Sequence, residues 1–411
     1  MPSALIYVSS FDGHRQVYVF VLSHLLNELK YRIYVAGNLK EKTTNSFYIE
    51  ILKKDKSITF IDTSVYSQNG MDISAKEITE LQHRCNIDVT IFAEADHHIS
   101  LFTSQIFNGK LKLRGRTVGI FLRPYYFYQN FNLIDKLRFL RHLGATWRSD
   151  NLLFHELLLK HFRILDSALS IDENFVANHN YFKWLPDVFQ QYAEGIVKDE
   201  DLSQLVWIDK LNEFKKMNSD KFIFLYFGAS QKRRGYDLLL KFAVEHDGCF
   251  IHCGLNNDAE TLDFDIQHLK AILNAKSAIL ETNQYISDSL CIEQFFRSAT
   301  HLLLPYRNFF GSSGIMLQSL SYGIPVLVPS IGLMGFRVKK FNLGLTFNST
   351  DKSMEEQFQR LKLTTKEQFS SSISNYMNYQ SVSQLKMTLI SALTGNSHII
   401  ENSIPIICKY D

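Results

Sequence analysis

Short apolar runs recur along the chain, with amphipathic stretches between them. In the first half they cover residues 5–8, 33–36, 58–61, 89–93, 117–122 and 167–171. Most are continuous rather than alternating, which predicts strands covered on both faces of a parallel sheet. Residues 16–29 and 73–83 carry helical spacing between them. The pattern breaks after Leu185-Pro186-Asp187 into a polar, charged segment over 187–220. A second series follows at 222–227, 249–253, 278–282, 301–305, 325–329 and 344–347, read as a second sheet. Strand and helix alternating with connections of this size predict an α/β, doubly wound architecture built twice. The expected domains are 1–186 and 187–390, with a tail over 391–411 placed to pack back on the first. Two such domains facing each other leave a cleft at the carboxyl ends of both sheets. Ligands of open α/β sheets bind at those ends, so function is sought in loops directly after strands. No internal repeat or low-complexity segment is visible.

Composition adds limits. The chain has 411 residues, 45% apolar and 21% charged, with a formal net charge of +2. That length suits two cores, and that charge gives no general affinity for polyanions. The apolar run near the N-terminus is too short for a signal peptide and lacks a basic start. No stretch reaches the roughly 20 apolar residues of a membrane span. A cytoplasmic protein is expected. Cys85, Cys249, Cys253, Cys291 and Cys408 are scattered and odd in number. They read as reduced thiols, mostly buried, with no zinc site.

Two segments of the second half carry candidate chemistry. Phe227-Gly228-Ala229-Ser230-Gln231-Lys232-Arg233-Arg234-Gly235-Tyr236-Asp237 runs from a strand through three cations into a helix. Backbone amides at a helix start and nearby guanidinium groups suit a diphosphate; a solvated basic loop is the plainer reading. In the second segment, Pro305 ends a strand, Gly311-Ser312-Ser313-Gly314 opens a helix, and Ile315 and Gln318 lie in its first turns. Small residues let a ligand approach backbone N–H groups, and serine hydroxyls add donors. Alone, this loop reads as a helix-capping turn. Gly323-Ile324-Pro325-Val326 then ends the helix and starts a strand.

Together these segments resemble the donor-binding half of GT-B fold glycosyltransferases, the retaining family 4 group in particular. The resemblance implies two Rossmann-like domains and a nucleotide-sugar donor. Gly228 and Gly235 keep the spacing of the family's strand–Gly-Arg-x-x-x-x-Lys-Gly signature. Arg234 stands at its diphosphate-binding lysine and Ala229 at its arginine, so one cation is missing, for which Lys232 or Arg233 is a substitute. Gly323 to Val326 match the Gly-x-Pro-Val that closes the family's E-x7-E motif. Gln318 then falls at the glutamate that holds the ribose, and Phe310 at the one near the donor sugar. The base-holding segment corresponds to Tyr285 and Ile286. Ser287 reads equally as the cap of the next helix.

In the first half, Gly13 matches one glycine of a turn that approaches donor and acceptor, with Asp12 and His14 beside it. Glu94-Ala95-Asp96-His97-His98 follows the fourth strand, and Asp96 and His97 are candidate sugar or acceptor contacts. A helix N-cap at Asp96 is the alternative. Adjacent histidines on an extended segment point apart, which argues against a metal site. Arg123, after the fifth strand, sits near the family's sugar-facing histidine. It reads as a phosphate contact or as a structural ion pair. Asp263-Phe264-Asp265 spells a manganese-binding motif of another fold, but in a polar connector; it is read as chance, with no metal implied.

From Lys110 to Arg163, eleven lysines and arginines face three acids, with aromatics among them. Such a segment suits an anionic membrane surface or nucleic acid, the alternative being a solvated helical hairpin with its aromatics in the core; the resemblance to enzymes that act on lipid-linked acceptors favours the membrane. The expected activity is transfer of a hexose from a UDP-sugar to a saccharide or polyprenyl-linked acceptor. Retention, metal independence and a role in polysaccharide or glycolipid synthesis accompany it by resemblance. An inverting transferase and a degenerate nucleotide-sugar-binding subunit are the alternatives. A nucleic-acid partner is not expected. If the basic segment meets membranes, neutralising Arg138, Arg141 and Arg148 together lowers binding to anionic liposomes in a flotation assay; unchanged binding refutes the membrane reading.

Overall fold

The computed structural model describes residues 1–11, 15–39, 47–64, 75–98, 113–122, 164–196, 202–257, 263–348 and 351–395. The chain forms two compact units, Met1–Ala193 with Gln380–Asp411, and Glu194–Tyr379. The first division therefore falls after 193 rather than 186. The chain returns to the first unit at Gln380, ahead of the expected 391.

The first unit holds one parallel sheet. Its strands are β1 (Ser3–Tyr7), β2 (Arg32–Gly37), β3 (Ile58–Asp62), β4 (Val89–Phe92), β5 (Arg116–Phe121), β6 (Ser167–Ser170) and β7 (Phe182–Trp184). Their order is β3-β2-β1-β4-β5-β6-β7. Every residue of β1 and β4 is buried, as continuous apolar runs demand. Tyr7 aligns with Ala36 on one side and Phe92 on the other. Their carboxyl ends therefore stop level, and the following loops leave from one edge. β7 went unforeseen: Phe-Lys-Trp is too short to show a period, yet Phe182 and Trp184 are buried and pair with β6.

The segment over 187–220, expected as a polar break, contains helices Phe189–Ile196 and Val206–Met217. Trp207, Leu211 and Phe214 recur at helical spacing and pack on the second core, while the intervening charges face out. A polar majority hid this stripe.

Parallel strands also build the second unit, but in two sheets rather than the one expected. One has order β10-β9-β8 and the other β11-β12-β13. The strands are β8 (Ile223–Phe227), β9 (Cys249–Cys253), β10 (Ile279–Glu281), β11 (Leu302–Leu303), β12 (Val326–Pro329) and β13 (Gly344–Phe347). β11 lies beside β8 but pairs with β12. One apolar cluster serves both sheets, with Phe224, Phe250 and Phe295 at its centre. Cys249, Cys253 and Cys291 are buried free thiols, and Cys85 is partly buried.

Helix Val382–Thr394 completes the first unit. Ser381 caps it by accepting the Gln384 N–H. Just before it, buried Gln380 accepts from the Asp187 N–H at 2.7 Å and donates to Glu173 at 2.8 Å. Arg116 donates from Nε to the Ala392 carbonyl, and Lys386 pairs with Glu28 at 3.0 Å. Residues 396–411, most of the expected tail, lie outside the described residues. Among the described residues no helix is long and apolar enough to cross a membrane.

His301, just before β11, is 4% exposed. Burial, and then the charge of Lys366, push its ring down to about 4. The folded chain resists a proton that the unfolded chain takes up near pH 6.5. Stability from this group is thus complete above about pH 6.5 and is lost as pH falls toward 4, by about 3 kcal/mol. In urea titrations, the wild type should lose its advantage over His301→Gln across that window; a constant difference would refute the assignment.

Candidate functional site

The loop after β8 turns sharply. Gly228 has φ +106°, and its N–H donates to the Cys253 carbonyl at 2.8 Å. Gly254, leaving β9 alongside, has φ +152°, and a Cβ there would stand 2.3 Å from the Gly228 carbonyl oxygen. Backbone closes the second position to any side chain, and the positive φ of the first favours glycine. The Tyr226 hydroxyl pins the loop from below, donating to the Ala229 carbonyl at 2.8 Å and accepting the Gln231 N–H at 3.1 Å. Gly235, at φ +80°, then lets the chain pass Pro305: an added Cβ would meet the proline ring at 2.4 Å.

The candidate cations do not share one fate. Lys232 pairs with Asp263 at 2.6 Å. That same Asp263 caps helix Phe264–Ala275, accepting from the Asp265 and Ile266 N–H groups; both roles belong to the segment read as chance. Arg307, not anticipated as a site residue, grips Asp237 with two bonds of 2.7 and 2.8 Å and donates to the Lys232 carbonyl. Arg233 is exposed, and its carbonyl accepts the Arg307 N–H at 2.9 Å. Arg234 is half-buried. Its Nη1 lies 3.1 Å from where a Gly228 Cβ would stand, and Ile315 Cδ1 lies 4.0 Å from the same point. The structure therefore brings Gly228, Arg234 and Ile315 together.

Helix Gly314–Ser321 starts at this point. Ser313 caps it, accepting the Met316 N–H at 3.3 Å, and is 5% exposed. Ser312 is more open, and its hydroxyl accepts from Nη1 of Arg337 at 2.6 Å. Arg337 is fully buried, so a cation sits beneath the glycine-serine loop. The Phe310 carbonyl accepts the Leu333 N–H at 2.9 Å, which fixes the start of that loop. Gln318 is buried and donates to both carboxylate oxygens of Glu194 at 3.2 Å. A carboxylate thus stands next to the neutral Gln318 side chain.

Ser230, a candidate donor contact, is fully buried and accepts the Asn257 N–H at 2.7 Å; its hydroxyl holds the neighbouring loop instead. Tyr285 is 55% exposed, whereas Ile286 is in the core. The cap of helix Ser289–Ser298 is Asp288, not Ser287.

In the first unit, Asp96 sits in the turn Ala95–His98, 7% exposed, and accepts the Leu122 N–H at 2.6 Å. It is not the cap of a helix. Its carboxylate ties the turn to the end of β5. Glu94 is buried and pairs with Arg15, which also donates to Ser10 at 2.7 Å. His98 is buried against Tyr7 and Phe92. Gly13 and Arg123 lie outside the described residues, as do Asp12, His14, the side chain of His97 and nearly all of the basic segment 110–163. Among the described residues, no cluster of three His, Cys, Asp or Glu side chains is placed to hold a metal.

No family model and no curated protein sequence matches the chain. Solved structures do. Anabaena HepE in complex with UDP and glucose is 10% identical with a TM-score of 0.58, covering 96% of this chain and 100% of its own. A glycosyltransferase from Rickettsia africae is 13% identical with a TM-score of 0.57, covering 98% and 99%. UDP-GlcNAc 2-epimerase from Neisseria meningitidis, bound to UDP-GlcNAc, is 11% identical with a TM-score of 0.56, covering 96% and 100%. The fold is that of GT-B glycosyltransferases. At such low identity the likeness carries fold alone.

Arg234 has the only side chain of the Lys232–Arg234 run that lies beside Gly228 and Ile315. If this arginine holds the diphosphate of a nucleotide, Arg234→Ala weakens UDP binding at least about tenfold, with circular dichroism unchanged, through loss of a charge-assisted bond. Lys232→Ala should change it far less. Calorimetry decides; equal losses would refute the division of roles.

Proposed function

We propose that the chain is a glycosyltransferase whose second unit binds a nucleoside diphosphate sugar, UDP-linked by preference. It passes a hexose to a saccharide or lipid-linked saccharide, with retention and without a metal. One observation carries the reading: the half-buried Arg234 guanidinium stands beside the left-handed Gly228 and the first turn of helix Gly314–Ser321. A fixed cation and the N–H groups of a helix start beside one backbone bend suit a diphosphate. The neighbours bound to UDP and to UDP-GlcNAc add support for the donor class.

Bond breaking at the anomeric carbon builds charge on the departing diphosphate. Arg234 and the N–H groups of the Ser312–Gly314 segment stabilise that charge without reorganising, which lowers the barrier. With retention, the acceptor hydroxyl approaches on the face the diphosphate leaves, so no protein nucleophile is needed. The burial of Asp96 weighs against the inverting alternative with that residue as base. Phe310 in place of an acid near the sugar favours a second reading, a non-catalytic subunit that binds the nucleotide-sugar only. Membrane contact through the basic segment belongs to the same proposal.

The test is incubation with UDP-glucose, UDP-galactose and UDP-GlcNAc, with magnesium or with EDTA, followed by NMR. Slow release of UDP in EDTA, with the α-anomer of the freed sugar first, supports a retaining, metal-independent transferase. Tight binding without turnover, even with saccharide acceptors, favours the non-catalytic subunit. Interconversion of UDP-sugars would make the chain an epimerase.

A further inference from the structure

A buried arginine stands behind the glycine-serine loop, and the mechanism above does not use it. Arg337, on helix Gly332–Phe341, is 0% exposed. Its Nη1 donates to the Ser312 hydroxyl at 2.6 Å. One turn earlier on the same helix, the Leu333 N–H donates to the Phe310 carbonyl at 2.9 Å. Gly332, at φ +74°, allows that contact: a Cβ there would stand 2.7 Å from the Phe310 Cα. One helix therefore holds the loop at both Phe310 and Ser312, just ahead of the cap at Ser313.

Stability alone does not call for an arginine here. Taking a charge out of water is costly, and an apolar side chain of similar volume fills a core as well or better. Arginine does not shed its charge when buried. What the guanidinium supplies, and an apolar group does not, is a directed N–H. A serine hydroxyl rotates to suit its partners, and a bond from a fixed, charged donor sets where it points. Accepting that bond engages a lone pair of Ser312 and not its proton. The hydroxyl keeps its character as a donor, and a bond received from a cation strengthens it. Ser312 is partly exposed and Gly314 is exposed, whereas Arg337 is closed to water. The arginine therefore acts on a ligand only through the serine and the loop backbone.

We propose, resting on the donor-site reading above, that Arg337 is a positioning residue of that site: it fixes Ser312, and with it the loop N–H groups that receive the diphosphate. The part of the ligand that Arg337 governs is the diphosphate and not the nucleoside.

The test compares UDP-glucose with uridine, which lacks the diphosphate, on the full chain. Calorimetry reads the first and an NMR titration the second. Arg337→Met keeps the volume and loses the charge; Arg337→Lys keeps the charge and loses the planar fork. Each should weaken UDP-glucose binding about tenfold and leave uridine binding unchanged. Ser312→Ala should cost about as much, and adding it to Arg337→Lys should cost nothing more, because both remove one contact. Equal losses for UDP-glucose and uridine would mark a merely structural arginine and overturn the proposal, as would losses that add. If Arg337→Met does not fold, Arg337→Lys and the cycle with Ser312 decide, and the cycle decides alone if uridine binds too weakly to follow. Wild-type binding of UDP-glucose that Arg337→Lys leaves unchanged overturns this inference alone. A wild type that binds no UDP-glucose overturns the donor-site reading and this inference with it.

Discussion

Two glycines leave adjacent parallel strands at the same level, Gly228 from β8 and Gly254 from β9, with one backbone filling the space where the other's side chain would be. Everything at the candidate site is arranged around this close approach. It turns the Gly228 carbonyl inward to His252. Thr282 completes the arrangement, its hydroxyl accepting the Gly254 N–H at 2.9 Å. Parallel strands make such an approach possible because they stop level and send their loops off one edge. Packing this tight holds the loop in one geometry before any ligand arrives, and a preformed site gains affinity by avoiding ordering costs.

Charge is divided with similar economy. Lys232, Arg307 and Lys270 each sit against a carboxylate, from Asp263, Asp237 and Glu281 respectively. Those pairs are bracing: Lys232 ties the loop after β8 to the helix start at Asp263, Arg307 ties the segment after Pro305 to Asp237, and Lys270 ties helix Phe264–Ala275 to the end of β10. The two more exposed pairs, Lys232–Asp263 and Arg307–Asp237, contribute little stability, but they engage two of the cations near the loop. A run of three basic residues in sequence thus resolves into one braced lysine, one solvent-facing arginine and one arginine turned toward the bend at Gly228.

Much of the fold was legible because continuous apolar runs such as those of β1 and β9 leave few alternatives to a covered parallel sheet. What escaped was short or masked by polarity: β7, and the helix carrying Trp207, Leu211 and Phe214. The site was legible in its glycines, since Gly228 and Gly235 stand at positive φ, which favours glycine. Its side chains were less so. Lys232, Ser230 and Asp96 look available in sequence and are engaged in the structure, because hydrogen-bond partners such as Asp263, the Asn257 N–H and the Leu122 N–H are close in space, not in sequence. Glu194 escaped for the same reason. It brings a carboxylate to Gln318 from 124 residues away, and no local spacing announces it.

The return of the chain at Gln380 bears on how the protein is made. Synthesis runs from the N-terminus, so all seven strands of the first sheet emerge before the helix that covers them at Ser167 and Arg116. Until Leu385, Leu389, Ala392 and Leu393 have been translated, the surface they bury stays open to water. The second unit, by contrast, is complete on the ribosome once Tyr379 has emerged. The usual order of domain maturation, N-terminal first, is therefore reversed at the final step: the unit begun first is the one finished last.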